Sequence, residues 1–268
     1  MGIIEAIILG AVQGITEFLP ISSSGHLVIL QKIFNISEPT LLFDTMLHLG
    51  TLFAVFIVLW KDIIRILKNP IQPITGLLII ATIPIVIIAV LFKDFIEETF
   101  SSASYLGFFF LVTASALFIS EYLSRREGKT RNESEMNWKD ALIIGVLQGI
   151  AIMPGISRSG LTLSGALSRK LERGFAARFS FLMSIPAVLG ALLFHLKNVI
   201  KSDTLSITNN SLFLPMIAGT LTALVIGILS VRLMLKIVKE KSLKGFAIYV
   251  TIIGVIVIID HFITNIMF

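Results

Sequence analysis

Long apolar runs dominate this sequence and limit what it can fold into. A helix needs about 20 mostly apolar residues to cross about 30 Å of hydrocarbon. Six runs approach or exceed that length, at about 42–60, 74–92, 104–122, 176–196, 212–235 and 246–264. The composition agrees, since 55% of the residues are hydrophobic and only 15% are charged. We predict an all-α polytopic membrane protein, because a β-barrel would show shorter segments of alternating polarity.

Two further hydrophobic segments are interrupted in the middle. Residues 3–34 are broken at Pro20, and residues 140–170 are broken at Pro154 and Gly155. Each half is too short to span the membrane as a helix. Non-helical backbone at membrane depth must be shielded by protein, so each segment is predicted to be a re-entrant helical hairpin.

The two interrupted segments resemble each other. A shift of 135 positions places residues 10–25 on residues 145–160 without a gap. The identical pairs are Gly10/Gly145, Gln13/Gln148, Gly14/Gly149, Ile15/Ile150, Ile21/Ile156, Ser22/Ser157, Ser24/Ser159 and Gly25/Gly160. We predict one membrane domain over 1–268 that contains an internal duplication, with repeat 1 at about 1–122, a linker at about 123–138 and repeat 2 at about 136–264. The shared glycines are expected to let helices pack closely.

Each repeat is predicted to hold one hairpin and three spans. Because three is odd, the second repeat should be inverted relative to the first. The loops at 61–73, 123–139 and 232–245 are rich in Lys and Arg, whereas those at 93–103 and 197–211 are poorer. The positive-inside rule then places the basic loops, including the linker, in the cytoplasm. Inverted repeats with broken helices place polar sites where the breaks meet.

The repeats differ where chemistry is expected. The aligned pairs that differ most are Glu17/Ile152, Ser23/Arg158 and His26/Leu161. One copy therefore supplies an acid, a hydroxyl and an imidazole, and the other supplies a guanidinium. Two helix N-termini and one arginine would make a cradle for a phosphate or diphosphate.

Each of these residues also has a purely structural interpretation. Ser22 and Ser157 are natural helix N-caps. His26 could be an ordinary core histidine, and Arg158 could extend its charge to the membrane surface, although the middle of a hairpin is the wrong depth for that. A glutamate inside a membrane is costly, which favours a functional role for Glu17. The role of His48 is left open.

Four motifs in order give the chain a resemblance to a known family. They are QGITEFLPISSSGHL (13–27), FDTMLHLGTLFAV (43–55), PGISRSG (154–160) and ARFSFLMSIPA (177–187). Together they resemble the undecaprenyl-diphosphatase family of the bacitracin-resistance type, over essentially the whole chain. The resemblance implies a multi-pass enzyme of the bacterial cell membrane that hydrolyses undecaprenyl diphosphate to undecaprenyl phosphate and phosphate. This step recycles the lipid carrier for cell-wall synthesis, and bacitracin competes for the same substrate.

The resemblance also implies site residues. The family's essential glutamate falls on Glu17, its arginine on Arg158, its histidine on His26, and its serines on Ser22, Ser23 and Ser24. A divalent cation, Mg²⁺ or Ca²⁺, and an active site reached from the outer face are implied as well. One position departs from the usual pattern, because Gln13 stands where the family's first acidic residue is expected.

Candidate roles follow for these residues. Glu17, with Gln13, would hold the metal or move a proton. Ser23 is the candidate nucleophile with His26 as its base, and direct attack by water activated by Glu17 or His26 is the alternative. The remaining substrate-binding candidates are Gln13, Ser22, Ser24, Ser157 and Ser159.

Two other functions are weighed against hydrolysis. Inverted repeats with broken helices are typical of transporters, so a transporter or flippase of a phosphorylated lipid is the alternative. A structural scaffold would leave Glu17 and Arg158 unexplained. The reactive groups lie in one repeat and the cationic arginine lies in the other. This asymmetry favours an enzyme over a transporter. The expected partners are undecaprenyl diphosphate and the lipid bilayer, with no nucleic acid, and a homodimer is left open.

Overall fold

A computed structural model describes residues 1–36, 41–102, 104–125, 129–201, 210–264 and 266. Within these ranges the chain is helical, and one isolated bridge pairs Arg131 with Leu171. The helices are α1 (Ile3–Thr16), α2 (Ser23–Ile33), α3 (Leu41–Val58), α4 (Trp60–Lys68), α5 (Pro73–Leu91), α6 (Lys93–Ser102), α7 (Leu106–Arg125), α8 (Trp138–Ile150), α9 (Arg158–Ser168), α10 (Arg173–Lys201), α11 (Asn210–Glu240) and α12 (Lys244–Ile259). The predicted all-α class is confirmed over this part of the chain.

Five of the described helices are long and apolar enough to cross a membrane, namely α5, α7, α10, α11 and α12. The count reaches six when α3 and α4 are taken as one bent span. The predicted run at 42–60 is thus broken near its end, because α3 and α4 meet at a 76° bend. Residues 126–128 of the predicted linker and 202–209 of the loop at 197–211 lie outside the described residues.

Both predicted interruptions are present. The first lies between α1 and α2, and the second lies between α8 and α9. The longest of these four helices, α1, has 14 residues. At 1.5 Å per residue that is about 21 Å, which is too short to span a bilayer. The two halves of each pair pack against each other, as expected for a hairpin.

The two halves of the chain are packed reciprocally. Helix α1 of the first half packs on α11 of the second, and α8 of the second half packs on α5 of the first. At these crossings Gly10 lies against the backbone of Gly219, and Gly145 lies against the backbone of Ala81, so neither glycine has room for a Cβ. Close packing at the shared glycines is therefore confirmed.

Charged residues tie the hairpin of the second half together at its open end. The buried Asp140, near the start of α8, accepts hydrogen bonds from Arg131 at 2.6 and 3.1 Å and from Arg169, after α9, at 2.7 Å. Burial would raise the pKa of Asp140, but these bonds and one from the Asn137 backbone outweigh it and hold the pKa below its ordinary value. The ends of α8 and α9 are thus fixed together, with the break at the opposite end.

Candidate active site

Each break ends in a serine that forms the N-cap of the helix following the break. Ser22 is the N-cap of α2, where its hydroxyl accepts the Gly25 amide at 3.3 Å. Ser157 is the N-cap of α9, where its hydroxyl accepts the Gly160 amide at 3.0 Å. The predicted capping is confirmed at both positions. Ser22 has a φ of 72°, a region that L-residues rarely adopt, so the first break holds local strain.

The two breaks touch each other. A Cβ on Gly25 would lie 3.1 Å from the Cα of Gly155, the residue that turns the second break with a φ of 92°. The hydroxyl of Ser159 donates to the Leu19 carbonyl at 3.1 Å and so joins the second break to the first. The site is therefore built from both halves of the chain.

A threonine from α7 supports the second break. The Thr113 hydroxyl accepts the amide of Ser157 at 2.9 Å and lies 3.3 Å from the Gly155 carbonyl, to which it donates. These bonds satisfy backbone groups that the break removes from the helix ladder.

Glu17 is the centre of a buried polar cluster, with a side chain only 6% exposed. Its Oε1 accepts from Nη2 of Arg158 at 2.5 Å. Its Oε2 accepts from the Ser23 hydroxyl at 2.6 Å and from Gln13 Nε2 at 3.0 Å. The structure thus brings together four of the predicted site residues from α1, the first break and the starts of α2 and α9.

Helix α3 adds a residue that sequence reasoning left open. Nδ1 of His48 lies 2.9 Å from Gln13 Nε2 and 3.5 Å from Glu17 Oε2. Its position in the motif at 43–55 was a signal for a role, but nothing in the sequence linked it to Glu17.

His26 forms its hydrogen bonds with residues other than Ser23. Its Nδ1 is 2.7 Å from the Ser22 carbonyl, so this nitrogen carries a proton. Its Nε2 is 2.9 Å from the hydroxyl of Tyr249, on which the ring stacks. Phe110 meets the ring edge-on. Among the described residues the Ser23 hydroxyl donates to Glu17 and not to His26, which faces α7 and α12. A catalytic role for His26 stays a prediction.

The other predicted serines form pairs. The hydroxyls of Ser22 and Ser24 are 3.4 Å apart, and those of Ser157 and Ser159 are 3.2 Å apart. Because three of these four residues are buried and bonded to protein groups, their main visible role is to shape the breaks. Contact with a substrate stays a prediction for all four.

Two buried polar atoms beside Glu17 have no hydrogen-bond partner among the described residues. They are Oε1 of Gln13 and Nη1 of Arg158. A buried atom of this kind costs free energy unless something satisfies it. The amide oxygen can accept a cation or a proton donor, and the guanidinium nitrogen can donate to an anion. The cluster around Glu17 thus offers one unused acceptor and one unused cationic donor.

The implied divalent cation fits this donor set. Oxygen atoms from Gln13 and Glu17 are the hard ligands that Mg²⁺ and Ca²⁺ prefer. Within the described ranges no group of three or more His, Cys, Asp or Glu side chains could enclose a metal. Mg²⁺ is commonly held by one or two carboxylates together with phosphate oxygens and water. This site can supply one carboxylate, that of Glu17.

Known proteins match this chain over most of its length. Residues 6–256 match the family model of the bacitracin resistance protein BacA. The chain belongs to this family. A relative from Carboxydothermus hydrogenoformans, named undecaprenyl-diphosphatase, is 44% identical over 259 residues, which cover 97% of each chain. Undecaprenyl-diphosphatase 4 from Bacillus thuringiensis is 46% identical over 96% of this chain and 97% of its own. With its apolar helices, this BacA-family chain is a multi-pass membrane protein.

Proposed function

We propose that this chain is an undecaprenyl-diphosphatase, which hydrolyses undecaprenyl diphosphate to undecaprenyl phosphate and inorganic phosphate. The observation that carries the proposal is the buried cluster in which Glu17 holds both Ser23 and Arg158. An acid, a hydroxyl and a guanidinium at the junction of two helix N-termini are suited to phosphoryl transfer. The relatives that cover nearly the whole chain carry the same activity in their names.

We infer that Glu17 acts as the base for Ser23. The Ser23 hydroxyl already donates to Glu17 Oε2 at 2.6 Å. In the covalent route, Glu17 takes the Ser23 proton while Oγ attacks the terminal phosphorus. The bond from that phosphorus to the bridging oxygen breaks, and undecaprenyl phosphate leaves. Water then cleaves the phosphoserine, releases phosphate and restores the hydroxyl.

In the proposed mechanism Arg158 stabilises the charge that develops on the phosphoryl oxygens. Its unpaired Nη1 can donate to one of these oxygens while Nη2 stays on Glu17. The N-termini of α2 and α9 add backbone donors and the favourable end of the helix dipole.

Direct attack by water is the alternative route. In this route Glu17 takes a proton from the attacking water, and His48 replaces His26 as the histidine closest to the reaction centre. The short hydrogen bond between Ser23 and Glu17 favours the serine route, because nucleophile and base are already in contact.

The cation would bind at Gln13 Oε1 and Glu17. When bound, it would neutralise charge on the diphosphate and orient it. Gln13 cannot exchange a proton, so proton transfer in this region falls to Glu17.

The inverted repeat and the orientation in the cell membrane are part of the proposal. They are supported by the reciprocal packing of α1 on α11 and α8 on α5 and by the basic loops on one side. With those loops in the cytoplasm, the first hairpin opens to the outer face, where the active site would take its substrate.

The test is phosphate release by the purified full-length protein. With undecaprenyl diphosphate and Mg²⁺, we expect one phosphate per undecaprenyl phosphate formed, and no release by Glu17→Gln. Glu97→Gln is a matched control, because Glu97 is 58% exposed and far along the chain from the cluster. A folded wild-type protein that moves the lipid across proteoliposomes but releases no phosphate would contradict the proposal.

A further inference from the structure

Tyr249 of α12 contacts the first break through His26. It lies near the start of its helix, and its hydroxyl is 2.9 Å from Nε2 of His26. The two rings stack, with centroids 5.8 Å apart and planes at only 9° to each other. Phe110 of α7 meets the histidine ring at 85°. The orientation of the His26 ring is therefore fixed by neighbours from two other helices.

The hydrogen bonds of His26 determine which of its ring nitrogens carries the proton. The Ser22 carbonyl, 2.7 Å from Nδ1, can only accept, so Nδ1 donates to it. In the neutral imidazole Nε2 then has no proton and accepts from the Tyr249 hydroxyl. Because α12 is a membrane-spanning helix, little water is present to replace this bond. Tyr249 thus selects the tautomer of His26 that can bond to Ser22.

The backbone of Ser22 needs such support. With a φ of 72° it lies in a region that L-residues rarely adopt, and a residue there persists only where its surroundings hold it. The Ser22 carbonyl accepts from the His26 side chain at 2.7 Å and from the His26 amide at 3.3 Å. His26 therefore holds the carbonyl of the one residue of the first break whose backbone is strained.

The second break provides an internal comparison. Ser157 takes the place of Ser22 there, and its φ of −76° is an ordinary value. Leu161 takes the place of His26, and its side chain cannot donate to a carbonyl. The strained serine and the histidine thus occur together in one copy, and the aligned positions of the other copy have neither. This association indicates that the histidine holds the strained backbone of the first break.

We propose that Tyr249 is a positioning residue, which acts through His26 and the Ser22 carbonyl to hold the Ser23 hydroxyl on Glu17. Ser23 follows Ser22 directly, and its hydroxyl donates to Glu17 at 2.6 Å. A rotation of the Ser22 peptide would move this hydroxyl away from the carboxylate. A misplacement of about 1 Å can slow a reaction about 100-fold. This inference rests on the proposed hydrolysis and adds a residue that supports it from α12.

Tyr249→Phe tests the inference, because it keeps the stacked ring and removes only the hydroxyl. Tyr122→Phe is the matched control, since Tyr122 is 62% exposed and lies about 18 Å from Phe110 along α7. Phosphate release from undecaprenyl diphosphate is measured for both full-length variants and the wild type. The same proteins are examined by ¹⁵N NMR without substrate, at the ring nitrogens of His26 and at the Ser23 amide.

We expect Tyr249→Phe to lower kcat about tenfold and to leave KM within about twofold, because it disturbs the alignment of Ser23 and not the binding of substrate. The His26 Nε2 and Ser23 amide signals should shift in Tyr249→Phe and stay in place in Tyr122→Phe. A wild-type kcat in Tyr249→Phe, or a lower kcat with both signals unchanged, would contradict the inference. If the wild type released no phosphate, the proposed function would be wrong, and the NMR signals would still decide whether Tyr249 positions Ser23.

Discussion

Replacing Arg158 with lysine keeps the charge at the candidate active site but removes the planar fork. In the structure Nη2 of Arg158 is bonded to Glu17, and the buried Nη1 has no partner among the described residues. A lysine ammonium at this position can serve Glu17 or the substrate, but it cannot hold both in the same planar geometry. The substitution therefore removes one hydrogen bond between charged groups in the reacting complex.

The size of the effect follows from that one bond. A hydrogen bond to a charged group contributes about 1.5–3 kcal/mol. Since 1.4 kcal/mol corresponds to a factor of ten, kcat/KM should fall roughly 10- to 150-fold. The arginine side chain is only 15% exposed, so water cannot easily replace the missing donor.

Phosphate release from undecaprenyl diphosphate by the purified variant measures this loss. Arg65→Lys is the matched control, since Arg65 is 43% exposed and pairs with Glu133 away from the cluster. We expect the control to keep wild-type kinetics and both variants to accumulate normally. A kcat/KM for Arg158→Lys within about threefold of the wild type would refute the phosphate-binding role of this arginine.

Three further substitutions test other parts of the account. Ser23→Ala should lower kcat on the order of 10³-fold or more if Ser23 is the nucleophile, and a loss of only about 10- to 100-fold would leave water as the attacking group. Gln13→Glu should keep activity and lower the Mg²⁺ concentration needed for half-maximal rate, because it adds an anionic ligand; a higher requirement would argue against a cation at this position. Gly10→Ala should destabilise the protein by about 1–3 kcal/mol because the added methyl meets the backbone of α11. Its thermal unfolding is compared with that of Gly76→Ala, where nothing lies within 4 Å, and equal melting temperatures would contradict the packing.

Local features of the site could be predicted from the sequence. Pro20 and the serines after it interrupt an apolar run, and Ser22 is a residue type that favours a helix N-cap. The second copy of the pattern pointed to Ser157 in the same role. These predictions depend on a few neighbouring residues, which is why they were reliable.

Contacts between distant helices could not be predicted in the same way. Three side chains approach the site from other helices: His48 of α3 contacts Gln13, Thr113 of α7 contacts the second break, and Tyr249 of α12 contacts His26. These contacts depend on how each helix is rotated about its axis. Broadly apolar helices give little information about that rotation, because lipid and protein interior select the same residues. The contact of His26 with Tyr249 was missed for the same reason, since the spacing of His26 from Ser23 along α2 does not fix which other helix His26 faces.

The bend after α3 was also missed. The 76° change of direction falls at Leu59, where the sequence has neither proline nor glycine. The helix that follows is amphipathic, with Ile63 buried while Lys61 and Arg65 are at least partly open to solvent. A short helix of that kind is stable along a membrane surface, so the bend follows from polarity rather than from a helix breaker.

The central claim is that Glu17 and Arg158, which lie 141 positions apart, act in one site built from both halves of the chain. A double-mutant cycle in kcat/KM tests it most directly, with Glu17→Asp, Arg158→Lys and the double variant, all of which are expected to keep measurable activity. Residues in contact should show an interaction free energy of about 0.5–3 kcal/mol, so the double variant should lose less than the two single losses combined. Single losses that add to within about 0.3 kcal/mol would place the two residues in separate sites and contradict the account.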